Sequence, residues 1–399
     1  MKKNKVITIA AVPFSQNLGD GIIHEALCHS IINIDKTIKI NTLDIAGRRS
    51  LIFSDKKKIL NSFFLKFVIY FPKLIKYLLL FIYFEFLHNL KNKKYFRSAI
   101  KKSDFVIIGG GQLFSDVDLN FPIKLNCLLR EIILFNKKTY VYGVGVSNKV
   151  SKIAVFLFSR LLNHSLISEI FVRDFASTKN TINLYSKKSY EVWDPGILIS
   201  EKYSKLSVQK NKYIGLNITN PINLMYSGDI NTKIDYLDFY FKIISHLVKK
   251  KKQILLFTNG AIEDEEFKNT LFQNFKSNFN NSLTNCSRPK STLELVNIIS
   301  SSEFIISHRL HANIIAYSYK IPSVAIIWDN KISGFFKKIN REKFVLDLNS
   351  PNWYPTFKKM LTCKHFNIDI KTHTINLKDA MHQIKNLVFK INNENSDSS

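Results

Sequence analysis

Short apolar runs of strand length recur along this chain with helix-compatible segments between them, on both sides of one polar, Lys-rich stretch at 203–212. The strand-like runs lie at 5–14, 38–45, 104–109, 139–146, 169–173 and 190–193, and resume at 213–218, 253–258, 303–307, 322–327 and 343–347. Helical periodicity fills much of the space between, at 21–32, 151–163, 175–185, 235–250, 263–276, 291–300 and 312–319. Apolar strands alternating with helices predict a parallel sheet covered on both faces. Two such series predict two parallel-sheet α/β domains, and 399 residues is too many for one ordinary core. The expected boundaries are 1–205 and 206–348, followed by a helical segment at 349–391 and a disordered tail, NNENSDSS, at 392–399.

In open parallel sheets ligands bind beyond the carboxyl ends of the strands, so the chemistry is sought at those joints. The first strand runs into SQNLGDG (15–21), and DFVIIGGGQLF carries a triple glycine, Gly109 to Gly111. Consecutive glycines let backbone N–H groups approach a ligand, although close strand–helix packing needs them equally. The spacing is neither G-x-G-x-x-G nor a P-loop. YVYGVGVS ends at Ser147, FVRD places Arg173 and Asp174 at a strand end, and VWDPG places Asp194 at another. Arg173 is suited to hold an anion or to pair with Asp174 or another neighbouring acid. In the second half TNG (258–260) ends one strand and SHRLHA (307–312) another. There a helix start favours an anion, Arg309 adds a forked cationic donor, and His311 can exchange a proton near neutral pH. His308 is expected to support the site or lie at the surface.

The net charge of +27, from 58 Lys+Arg against 31 Asp+Glu, favours anionic partners. No nucleic-acid motif or clustered basic arm accompanies it, so nucleic acid is not expected as a partner. The four cysteines lack CxxC or Cys/His spacing, which points to reduced thiols in a cytosolic protein with no metal site. The start, MKKNKVITIAAVPF, reads as a strand rather than a signal peptide. Residues 62–87 are hydrophobic and aromatic, but Lys66, Lys73, Lys76, Glu85 and Pro72 interrupt them. A helical insertion, either packed in the core or lying on an anionic membrane surface with its lysines toward the headgroups, fits better than a span.

The ordered motifs N-L-G-D (17–20), G-G-G-Q-L-F (109–114), G-V-G-V-S (143–147), V-R-D-x-x-S (172–177), D-P-G (194–196) and S-x-R-L-H-A (307–312) resemble the polysaccharide pyruvyl transferases. The resemblance continues through I-P-S-V (321–324) and W-D-N-K-I-S-G-F-F (328–336) and spans residues 5–340. It implies a fold similar to the type-B glycosyltransferase architecture, two Rossmann-like domains facing a cleft. It also implies transfer of the pyruvyl group of phosphoenolpyruvate, the donor substrate, onto two hydroxyls of a sugar, giving a pyruvate ketal in surface polysaccharide biosynthesis. No further cofactor is implied. The family points to Arg309 and His311, then to Arg173, as the residues that hold and protonate the donor. Extending from these, Asp20 would accept a hydroxyl proton, and Asn17, Gly19, Gly110, Gly111, Ser147 and Asn259 would line the substrate. The acceptor would be a lipid-linked or oligosaccharide precursor, and the protein cytoplasmic or peripheral at the inner face of the cell membrane. A type-B glycosyltransferase using a nucleotide sugar and a non-catalytic membrane-associated assembly protein are the competing readings.

Overall fold

The computed structural model describes residues 4–51, 71, 73–83, 89–204, 213–222 and 234–394. Two compact units divide the chain: residues 1–15, 23–195 and 380–399 form the first, and residues 16–22 and 196–379 the second.

The first unit is built on β1 (Val6–Ala11), β2 (Lys39–Asp44), β3 (Phe105–Phe114), β4 (Thr139–Val146), β5 (Ile167–Val172) and β6 (Tyr190–Glu191). All pairs are parallel, in the order β2-β1-β3-β4-β5-β6. Parallel neighbours need long crossovers, so helices connect them. Val106, Ile108, Val141, Val144 and Ile170 of the strands join Leu125, Leu128 and Leu129 of the helix Asn120–Leu134 and Phe158 of the helix Lys152–Leu162 in one core. With the two faces buried, these strands carry continuous rather than alternating apolar residues.

The second unit is built on β7 (Tyr213–Asn217), β8 (Ile254–Phe257), β9 (Leu283–Asn285), β10 (Ser302–Ser307), β11 (Ser323–Ile326) and β12 (Val345–Leu346). Its order is β12-β11-β10-β7-β8-β9, again parallel throughout. Ile214, Leu216, Leu256, Ile305 and Ile306 are fully or almost fully buried at its centre. Helices begin where short polar side chains satisfy their first free N–H groups. Asp235 accepts from Leu237 and Asp238, Ser291 from Glu294, and Asp329 from Lys331.

Several expectations need correction. The sequence series misses the helix Asn120–Leu134, because Lys124, Asn126 and Glu131 are buried in it and interrupt its apolar period. It also misses the three-residue β9, and the single helical segment expected at 349–391 is two helices, Trp353–Leu361 and Ile370–Asn393. The expected domain limits of 1–205 and 206–348 take the chain as contiguous, whereas the units are discontinuous. The helix Ile370–Asn393 is not a separate segment: residues 380–399 group with the first unit, where Lys5 Nζ donates to the carbonyls of Ile391 and Asn392 at 3.1 Å each. The tail therefore does not begin at 392, because Asn392 Nδ2 also donates to Asp35 at 2.9 Å; residues 395–399 lie outside the described residues.

Most of the 62–87 insertion, Lys66 included, lies outside the described residues. Its described part is the helix Lys73–Tyr83, whose Ile75, Leu78 and Ile82 are exposed at one-face spacing. Lys76 was expected to face headgroups; it instead pairs with Asp118 at 2.6 Å. Among the described residues no helix is long and apolar enough to cross a membrane.

Candidate active site

Numbered within the second unit, its sheet has the order 3-2-1-4-5-6, which reverses direction between β7 and β10. The crevice outside the carboxyl ends of those two strands is where such a sheet takes a ligand. Ser307 and Asn217, the last residues of β10 and β7, stand opposite one another in register. Ser307 Oγ donates to Asn217 Oδ1 at 3.1 Å, and Asn217 Nδ2 donates to Asn259 Oδ1 at 3.0 Å, joining the ends of three strands. Ser307 Oγ also accepts the Arg309 N–H at 2.9 Å, and Asn313 Nδ2 donates to the Arg309 carbonyl at 3.0 Å. These bonds fix the turn that delivers Arg309 to the N-cap of the helix Leu310–Ser318.

The Arg309 guanidinium is oriented rather than free. Nη2 donates to the fully buried Asp264, whose other oxygen accepts the Asn220 N–H at 2.9 Å. Nε has no hydrogen-bond partner among the described residues, and the side chain stays 16% exposed, so part of the fork remains available.

The N-L-G-D motif belongs to this unit and not to the first. Leu18 N–H donates to the Asn259 carbonyl at 2.9 Å. Arg288 bridges the two loops, donating to the Gly260 carbonyl at 2.8 Å and to Gln16 Oε1 at 3.1 Å. Gly260 takes φ +97°, and a Cβ there would lie 2.7 Å from the Gln16 carbonyl, so glycine is required on both counts. Gly19 in turn lies flat against His311: a Cβ would come within 2.7 Å of its Cγ and 2.8 Å of its Cβ, and closer still to Nδ1. Asp20 follows in the first turn of the helix Gly19–Ile34, where a carboxylate is favoured by the helix dipole. Asn17, Gly19, Asp20, Asn259, Arg309 and His311 are thus brought into one neighbourhood.

His308 is the neighbour that does not belong to it. It is fully buried, with its ring centroid 6.0–6.3 Å from those of Tyr236, Phe239 and Tyr240. Burial, with the Arg309 charge next, pulls its pKa down to about 3, so it is neutral at pH 7 and packs rather than titrates. The expectation of a surface position is corrected.

In the first unit the motifs converge on Arg173, whose side chain is only 4% exposed. Nη1 lies 3.3 Å from Asp194, Nη2 donates to Gln112 Oε1 at 2.8 Å, and Nε lies 3.6 Å from Asp174. A Cβ on Gly145 would come within 2.9 Å of Arg173 Nη2. GGGQLF, GVGVS, VRD and DPG therefore close one buried network. The pairing of Arg173 with neighbouring acids, one of its two expected readings, is present. Gly110 takes φ +79° and lets Ile23 approach, since a Cβ would meet Ile23 Cγ2 at 2.6 Å. Gly111 also has positive φ, 75°. Ser147 N–H donates to the Phe114 carbonyl at 2.8 Å, and its hydroxyl accepts the Lys149 N–H at 3.2 Å.

Residues that the sequence did not single out include Asp264, Arg288 and Lys124. Asp264 sits in the run E-D-E-E, which reads as a solvated helix start, yet it is buried under Arg309. Lys124, on the helix Asn120–Leu134, is brought down to about 8 by burial and then by Arg48. Among the described residues no three His, Cys, Asp or Glu are placed to hold a metal.

Solved structures with this architecture include the UDP-GlcNAc 2-epimerase from Methanocaldococcus jannaschii, 13% identical with TM-score 0.55, covering 96% of this chain and 99% of that one. S. aureus MnaA, solved with UDP, is 11% identical with TM-score 0.54, covering 99% and 97%. At such identities the likeness concerns the fold, which is of the type-B glycosyltransferase kind. No curated protein matches the chain. The model of the polysaccharide pyruvyl transferase family matches residues 17–330, from the N-L-G-D loop through SHRLHA to the start of the helix Asn330–Lys338. With its sequence matched over most of its length, this chain belongs to the polysaccharide pyruvyl transferase family.

Proposed function

We propose that this transferase moves the pyruvyl group of phosphoenolpyruvate onto two hydroxyls of a sugar, forming a cyclic ketal and releasing phosphate. The observation that supports this best is the seating of His311 against Gly19 beside the Asp264-oriented Arg309. Arg309 meets the carboxylate or phosphate of the donor through the part of its fork that Asp264 leaves open. His311 protonates the methylene carbon, which becomes the ketal methyl group and leaves C2 electrophilic. One sugar oxygen bonds to C2, the C2–O bond to phosphate breaks, and the second sugar oxygen bonds in its place. Two hydroxyl protons are lost, with Asp20 as acceptor. One offsets the proton given to carbon, and the other leaves with hydrogen phosphate.

Thermal unfolding tests the donor: phosphoenolpyruvate should raise the midpoint by mass action and a UDP-sugar should not. The reverse pattern would establish the nucleotide-sugar reading, which the fold alone accommodates. His311→Asn should keep donor binding while turnover falls by about 10²–10⁴-fold. We place the protein at an anionic membrane surface through the exposed Ile75, Leu78 and Ile82, supported by the +27 net charge. Sedimentation with anionic vesicles at low salt should be lost when those three residues become Ser. Equal sedimentation of both forms would reject the placement.

A further inference from the structure

The second unit also contains a cavity of about 380 Å³, a volume within the range of small-molecule sites, and none of the residues assigned to the transfer reaction lines it. Arg341 is one of its lining residues. This arginine is buried, donates from Nη1 to the Asn367 carbonyl at 3.0 Å and from Nη2 to the Phe366 carbonyl at 2.7 Å, and stacks 4.2 Å from the Phe344 ring centre. Its Nε has no hydrogen-bond partner, and among the described residues no carboxylate pairs with it. Arg173 and Arg309, by contrast, each hold an acid. Burial without an anion pulls its pKa down to about 10. A buried charge left unpaired is costly, and a bound anion removes that cost.

The remaining walls agree in sign. Lys343 and Lys364 are exposed at the cavity and add two positive charges to that of Arg341. Asp369, the acid among the lining residues, subtracts one, but it is occupied in accepting the Thr372 N–H at 2.9 Å. The helix Ile370–Asn393 starts here, with Thr372 in the lining, and its N-terminal dipole adds to the positive potential. Two net positive charges match a phosphate dianion. Buried Ile339 and Phe344 provide apolar wall beside them, and the cavity exceeds a bare phosphate.

We propose that this cavity binds a small organic phosphate, its dianion at Arg341, Lys343 and Lys364 and its carbon skeleton against Ile339 and Phe344. Site-resolved acetylation of lysines, read by mass spectrometry, locates such a ligand independently of the catalytic site. With glucose 1-phosphate at three times its Kd, Lys343 and Lys364 should react about fourfold more slowly while exposed Lys378, on the helix Ile370–Asn393, is unchanged. Inorganic phosphate should need a higher concentration for the same protection, and Arg341→Gln should abolish it. If Arg341→Gln does not fold, Lys343→Ser/Lys364→Ser should instead weaken calorimetric binding of glucose 1-phosphate at least about tenfold while leaving the protein's turnover unchanged. Equal slowing of Lys378, equal slowing by sodium chloride at matched ionic strength, or inorganic phosphate acting at the same concentration would overturn the assignment.

Discussion

Gly19→Ala separates a role for His311's position from a role for its presence. A Cβ at residue 19 would lie 2.8 Å from His311 Cβ and 2.7 Å from Cγ, whereas ordinary contact begins at 3.4 Å. At least about 0.6 Å must therefore be relieved. Turning the imidazole does not help, because its Cβ is fixed by the helix Leu310–Ser318, which buries Ala312, Ile314 and Ile315. Either that helix or the 16–22 loop must shift, and the loop is tied by Leu18 to Asn259 and by Arg288 to Gln16. Overpacking of this kind costs about 1–3 kcal/mol, offset by up to about 1 kcal/mol because alanine is the better residue at a helix start whose φ is not positive. The net loss of stability should be modest. Catalysis is more sensitive, since misplacing a reacting group by about 1 Å costs on the order of 10²-fold. A shift of this size should lower turnover by about 10–100-fold, measured as acceptor-dependent phosphate release at saturating phosphoenolpyruvate, with donor affinity within a few fold. Turnover within about threefold of wild type, in a protein of unchanged midpoint, would refute the argument that Gly19 sets the place of His311.

Gly334→Ala is the matched control: no atom lies within 4 Å of the added Cβ, so the helix Asn330–Lys338 should gain about 0.5–1 kcal/mol in urea unfolding, and a loss would contradict the geometry. His308 has a folded pKa of about 3 against 6.5 unfolded, so the unfolded chain binds the extra proton between those values and stability falls as pH drops below 6.5. That amounts to about 2 kcal/mol between pH 6.5 and 5; His308→Phe should remove this share of the acid sensitivity, and an unchanged acid limb would reject the assignment. Arg309→Lys keeps the charge but loses the fork that spans Asp264 and the donor, so phosphoenolpyruvate should bind about tenfold more weakly in calorimetry; unchanged affinity would show that the fork is not used.

Strand ends were legible in the sequence because they are backbone events. An apolar run must stop where the sheet stops, and Asn marks the turn, as at Asn17 and Asn259; Gly109 to Gly111 do not, because β3 continues through them to Phe114. The helix boundaries that agree best, 175–185 and 291–300 against Phe175–Tyr185 and Thr292–Ser300, begin at short capping side chains, Asp174 and Ser291. What lies far apart in sequence was not legible. The loop at 16–22 follows β1 directly, and only its bonds to Asn259 and Arg288 show that it belongs with the second sheet. Buried acids were hidden in the same way: nothing in E-D-E-E distinguishes Asp264 and Glu265, which are buried, from Glu263 and Glu266, which are not.

Arg173 and Arg309 show where local chemistry stops deciding function. Both stand at the carboxyl end of a parallel strand and both pair with an acid. The difference is how much of the guanidinium remains. Arg173 meets Asp194, Gln112 and Asp174 and is almost fully enclosed, so an incoming anion would have to displace a partner and enter beside two carboxylates. Arg309 meets Asp264 through one nitrogen, keeps Nε without a hydrogen-bond partner and stays partly exposed beside His311. A donor carrying both carboxylate and phosphate is therefore better served by Arg309. The ordered motifs of the first unit are accounted for by one buried network, in which Gly145 makes room for Gln112 and Arg173 and Gly143 makes room for Pro195. That network holds the carboxyl end of the first sheet in shape, and in the proposed reaction the proton is assigned to His311 of the second unit.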